Sequence, residues 1–250
     1  MTDALTLPTR RDESWRYADL DALARVWPLA DAPEHIVVPA GEAQTLLIPA
    51  LEPVDGVAVR AIQAELGAGA RLNVQALVSG CDYGRLSISV RLSRGSHFEL
   101  GGAILGSGEQ TLEIVTDVYH VEPEATSNQT VRNVLSGRAT GSYIGAVRVA
   151  RHAQKTDGSQ SVKSMLLDRT ATANAVPQLE IFADDVKCAH GATVGELDKS
   201  GLFYMAARGI PPEVAKRLML QAFLAEAFAA AGDAGEALDA AAQAQLEAML

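Results

Sequence analysis

A mainly β chain with helical segments at both ends is the fold class this sequence predicts, on three observations. Past residue 44, short runs alternate apolar and polar residues, and Gly-rich or polar corners separate them. The runs recur at intervals of roughly 10 to 14 residues, a spacing that suits a sandwich, a barrel or a β-solenoid. Pattern alone does not choose among the three. Asn-Gly and Asp-Gly turns are few, the Asp-Gly pairs at Asp55 and Asp157 being exceptions, so the strongest local hairpin signal is largely missing. That tilts the choice toward a solenoid.

The elements follow in chain order. Trp15 and Tyr17 open a predicted helix in which Leu20, Leu23, Ala24 and Trp27 share a face, and Pro28 and Pro33 punctuate its end. Predicted strands follow: "TLLIPA", "VAVRAI", "RLNVQALV", "RLSISVRL", "HFELGGAIL", "TLEIVTDVYHV", "YIGAVRVA", "SVKSMLLD" and "QLEIFA". In "RLSISVRL", Leu86, Ile88, Val90 and Leu92 share one side, and Arg85, Ser87, Ser89 and Arg91 the other, the period of two of a half-buried strand. The corners between runs include "GAGA", "SRGS" and "GSGEQ".

The texture changes again at Leu202, and Pro211, Pro212 and Glu213 open a helix. That helix carries two apolar stripes, Val214, Leu218, Ala222 and Ala225, then Leu220, Phe223, Leu224, Ala227 and Phe228. It therefore needs cover on two sides. A last helix from about Glu236, with Leu238, Ala242, Leu246 and Met249 on one face, supplies one cover, and another protein is a candidate for the other. The expected segments are 1–44, a short N-terminal helical piece; 45–200, a β core; and 201–250, a helical region.

Composition narrows the function classes. The chain has 250 residues, 48% of them hydrophobic, enough for a sizeable core. Its 21 Lys and Arg against 31 Asp and Glu give a net charge of -10, which disfavours nucleic acid and anionic lipid as partners. The first residues show no apolar signal core and no run approaches the roughly 18 residues of a membrane span, so the expected location is cytoplasmic. Two cysteines, Cys81 and Cys188, exclude a disulfide framework and a self-contained four-cysteine metal site.

The stretch "DDVKCAHGATVGELD" holds the most chemistry. If Cys188 and His190 lie on a strand, they point to one face with Cα atoms about 6.5 Å apart and reach one ion. A tetrahedral site needs four ligands, and a catalytic one takes three from protein. Asp185 is about 16 Å of extended chain from His190, so the acids do not complete the set. A buried structural cysteine beside a hydrogen-bonded histidine is the plainer reading of the pair. An alternative is a β-solenoid carbohydrate-active enzyme using Asp184, Asp185 and His190. Adjacent strand acids point to opposite faces, whereas glycoside hydrolysis needs two facing carboxyls. His35, His97, His120 and His152 are isolated, and neither a phosphate-binding G-x-x-x-x-G-K-[ST] loop nor a G-x-S-x-G elbow is present.

"PQLEIFADDVKCAHGATVGELD", then "LFYMAARGI" and "PPEVAKRLMLQAFLAE", closely resembles the C-terminal signature of the SufB/SufD family of iron-sulfur cluster assembly subunits, on its SufD side. "RRDESWRYADL" resembles the N-terminal signature of the same proteins. The resemblance implies a right-handed parallel β-helix core flanked by helical segments, in a complex with the paralogue SufB and the ATPase SufC. It implies a non-catalytic scaffold, with ATP hydrolysis left to SufC. A nascent iron-sulfur cluster would be transient and shared with the partner, at His190 first and Cys188 second. The helical C-terminus would dock the ATPase, with Phe203, Tyr204, Arg208, Gly209, Ile210, Leu218 and Phe223 as candidate contacts or supports. Two departures stand out. The N-terminal helical region is shorter than in the family, and Gly191 stands where the related subunit has a carboxylate. Without its paralogue, the same surface would pair with a second copy as a homodimer.

Overall fold

The alternating runs fold into two six-stranded sheets. The computed structural model describes residues 6–29 and 32–250; the rest of the predicted N-terminal segment lies outside these. One sheet, A, has the order β1-β3-β5-β7-β9-β11 and the other, B, the order β12-β10-β8-β6-β4-β2. The strands are β1 Glu34–Val38, β2 Ala43–Ile48, β3 Val57–Leu66, β4 Arg71–Ser79, β5 Tyr83–Leu92, β6 His97–Gly106, β7 Thr111–His120, β8 Thr126–Leu135, β9 Thr140–Val149, β10 Asp157–Leu166, β11 Thr172–Ile181 and β12 Lys187–Glu196.

Consecutive strands alternate between sheets and every strand pairing is parallel, so the chain winds as a parallel β-solenoid. Corners made of tight turns allow each passage from sheet to sheet; Gly69 and Gly95 stand there at φ +68° and +63°, where a side chain would be strained.

In-register pairing stacks inward residues into ladders. One runs Leu66, Leu92, His120, Val149, Ile181, and another Ala76, Gly102, Val131, Val162, Ala192. Most early rungs are buried aliphatic side chains, each worth about 1.5–3 kcal/mol when fully withdrawn from water. Parallel strands buried on both faces need this double cover.

Each sheet's outer face has its own cover. Residues Leu7 to Leu29, including the short helix α1 Leu20–Ala24, lie over sheet A, where Ala18, Ala22 and Leu23 pack with Val57 and Tyr83. Trp15 stacks on the Arg85 guanidinium, 3.8 Å from its ring centre, and Tyr83 Oη donates to Glu113 at 2.5 Å. Sheet B is covered by α3 Pro212–Phe228 and α4 Glu236–Met249: Leu220, Leu224, Phe228, Leu238 and Leu246 close on Leu77, Ala103, Leu105 and Val134. Gly101 permits the close approach, since a Cβ there would overlap the Ala227 carbonyl. Helix α2 Lys199–Ala207 precedes them, its N-terminus capped by Asp198, which accepts from the Ser200 and Gly201 amides at 2.9 and 3.1 Å.

Several elements depart from the sequence expectation. β1 lies inside the segment read as helical, so the solenoid starts at Glu34 rather than near 45, and the predicted N-terminal helix shrinks to five residues. β8 went unrecognised because its inward residues Ser127, Gln129 and Asn133 are polar yet buried. β12 lacks an apolar alternation because it is exposed on both faces apart from half-buried Cys188. Among the described residues, no helix is long and apolar enough to cross a membrane.

Candidate functional site

β12 is the last strand of sheet B and pairs only with β10 among the described residues, so its other edge is free. It sets Cys188 opposite Gly158 and His190 opposite Gln160. Cys188 packs against the solenoid core, and a Cβ built on Gly158 would come within 3.6 Å of its Sγ. The thiol therefore points inward, and by strand periodicity His190, two residues on, shares its face. His190 itself is exposed. The expected pairing of the two on one face thus holds, at the open end of the solenoid interior.

Beneath His190 the ladder changes chemistry along its length. It runs Leu46, Val74, Leu100, Gln129, Gln160, His190, apolar in the early coils and polar in the last three rungs. Gln129 and Gln160 are buried, as are Thr116 and Tyr143 from the facing sheet. Tyr143 Oη donates to Gln129 Oε1 at 2.9 Å and accepts from Gln160 Nε2 at 3.0 Å, while Thr116 donates to Gln129 Oε1 at 2.6 Å. Gly145 makes room for this, because a Cβ there would overlap Tyr143 Oη and lie 2.6 Å from Gln160 Nε2. Sequence reasoning missed the network; its signal was the polar alternation of "TSNQTVRNVL".

Burial raises the Cys188 thiol pKa above its ordinary value; Asp157 adds to the rise and a hydrogen bond from the Gly158 backbone opposes it. Cys188 is thus a poor thiolate in the protein alone. Gly191 faces open space, so packing does not require a glycine there. Among the described residues no three or more of His, Cys, Asp and Glu come together as a metal-holding group.

Asp184 and Asp185 stand at the corner before β12, exposed, with the Asp185 amide donating to Gln154 Oε1 at 2.8 Å and its carbonyl accepting from Lys155 N at 2.6 Å. The corner ties Asp185 to the preceding coil, while His190 lies within the strand. The carbohydrate-enzyme alternative is accordingly not favoured.

The helical candidates fall into two groups. Phe203 and Tyr204 on α2 and Leu218 on α3 are large apolar residues with 77%, 58% and 45% exposure, so they are available for contact. Arg208 stacks on Tyr204 at 4.8 Å, and Gly209 ends α2 at φ +81°. Ile210 is half-buried, and half-buried Phe223 packs with the α3–α4 cluster, a supporting position. Of the two predicted stripes on α3, Leu220, Leu224, Ala227 and Phe228 are buried, whereas Leu218, Ala222 and Ala225 remain exposed along a groove against α4 of about 330 Å³.

A two-sheet parallel solenoid with helical segments over both sheets and a Cys–His pair on its open last coil defines the architecture. The family model described as "SUF system FeS cluster assembly, SufBD core domain" matches residues 45–223, and the chain belongs to that SufBD family of iron-sulfur cluster assembly proteins. It is 40% identical to the iron-sulfur cluster assembly protein SufD of Escherichia coli over 120 residues, covering 48% of this chain and 28% of that one. It is 41% identical to the chloroplastic protein ABCI7 of Arabidopsis thaliana over 121 residues, 47% of this chain and 25% of the relative. A SufBD-family protein of Mycobacterium bovis is 32% identical over 204 residues, 77% of this chain and 51% of its own. The chain thus spans a quarter to a half of the length of these relatives.

Proposed function

We propose that the chain is a non-catalytic scaffold subunit of the Suf machinery, which works in the cytoplasm with the paralogue SufB and the ATPase SufC. One observation carries the proposal: an inward-facing Cys–His pair, two ligands short of a tetrahedral set, on an open strand edge. A strand from SufB pairs along β12, brings the missing donors, and a nascent iron-sulfur cluster is built between the subunits. His190 supplies a ring nitrogen to iron, and Cys188 joins as thiolate once iron displaces its proton. The exposed apolar residues of α2 and α3 receive SufC, whose ATP hydrolysis moves the helices packed on sheet B. Without SufB, the bare edge of β12 pairs with a second copy.

Tagged chain purified from its own cytoplasm is expected to bring down an ATPase and a larger paralogue. Anaerobic reconstitution of that complex with His190→Ala should lose cluster absorbance and bound iron. Full cluster yield in the variant removes His190 from the site, and purification without either partner removes the scaffold reading.

A further inference from the structure

Gln160 is buried, at 3% exposure, and its carbonyl oxygen has no hydrogen-bond partner. Its orientation follows from the network beneath it. A phenol has one proton, and Tyr143 donates that proton to Gln129 Oε1. Tyr143 must therefore accept from Gln160, and does so from Nε2 at 3.0 Å. The atom left over is Oε1, an acceptor that lacks a donor. The residue in register with Gln160 on the open side of the ladder is His190, one strand spacing of about 4.8 Å away.

We propose that Gln160 is the positioning residue of His190: its Oε1 accepts the N–H of the imidazole, fixes the ring's tautomer, and leaves the other nitrogen bare toward the open end. This rests on the reading of His190 as a cluster ligand. The hydrogen bond relieves an orphaned buried acceptor and supplies the outer partner that metal-bound imidazoles nearly always have. The chain from Thr116 through Gln129, Tyr143 and Gln160 then anchors the ring to four inner strands.

Two variants and two readouts test it. Gln160→Met keeps the length and removes the acceptor, and Gln160→Glu keeps an acceptor. In the full chain labelled with ¹⁵N-histidine at about pH 8.5, where imidazoles are neutral, His190 should show one protonated and one bare ring nitrogen. Gln160→Met should bring the two nitrogen shifts together through tautomer exchange, and Gln160→Glu should keep them apart. Reconstituted with partners, Gln160→Met should lower iron affinity about 10-fold. Ring shifts unchanged by Gln160→Met overturn the hydrogen bond whatever the iron result. Shifts that collapse while iron affinity holds leave the hydrogen bond standing and overturn Gln160 as a residue that positions His190 for iron.

Discussion

Arg132 and Glu226 join the solenoid to its helices through a hydrogen bond, Nε to Oε2 at 3.0 Å, and an ion-pair contact, Nη2 to Oε1 at 2.8 Å. The guanidinium is buried on sheet B, and its remaining donors reach the Val131 and Ser161 carbonyls at 2.7 and 2.9 Å and Ser161 Oγ at 3.1 Å. Glu226 on α3 also meets Lys163 at 3.2 Å. An ion pair held at two points in this way fixes position and angle together.

Glu226→Ala leaves that buried guanidinium short of its carboxylate. Loss of one partner of a fully buried pair costs about 3–5 kcal/mol. Glu226 is about half exposed, so the expected loss is about 1–3 kcal/mol. Denaturant unfolding of the full chain should show it as a lower midpoint; an unchanged midpoint removes the pair as a clamp.

Acid should weaken the fold in two windows. Burial pushes the His120 imidazole down to about 4, so the unfolded chain takes the proton first. Stability then falls as pH drops from about 6.5 toward 4, by about 2–3 kcal/mol. Glu226 is held down to about 2, chiefly by its hydrogen bonds to Arg132, so its contribution is present above about 4.5 and lost as pH falls toward 2. His120→Asn should flatten the upper window and leave the lower one; a retained slope between pH 6.5 and 4 contradicts the assignment.

Tyr143→Phe deletes the oxygen that Gln129 and Gln160 share. Two buried amides then lose a partner at nearly constant side-chain volume, and the expected cost is about 1–3 kcal/mol. Thermal melting measures it, and a wild-type melt would mean that water substitutes for the phenol.

Leu218→Asp tests the exposed stripe. Leu218 is 45% exposed, so the chain's own stability should move by less than about 0.5 kcal/mol, while retention of the ATPase on the tagged chain should drop at least tenfold. Undiminished retention moves the docking surface elsewhere.

Sequence periodicity revealed most strands with one apolar face, as in β5 with Leu86, Ile88, Val90 and Leu92, but not the short β1, whose apolar face is only Ile36 and Val38. It failed where the solenoid departs from that rule. β8 buries amides whose partners lie on strands about 14 or 30 residues away, outside any local window. β12 carries no core face because no further coil lies on it among the described residues. The Cys188–His190 pairing was visible in the spacing of two. The relation of His190 to Gln160 was not, since it depends on the register of two strands 30 positions apart.

The two free edges at that end are chemically unequal. β11 carries Pro177 in its middle, while β12 from Lys187 to Glu196 contains no proline. A proline in a paired strand turns its missing donor outward, which leaves a gap in the hydrogen-bonding row offered to a newcomer. Sheet A is therefore a poor template for extension and sheet B a good one. An incoming strand would meet an unbroken row only on the sheet that holds His190, so the ending of the fold itself sets apart two otherwise similar landing places.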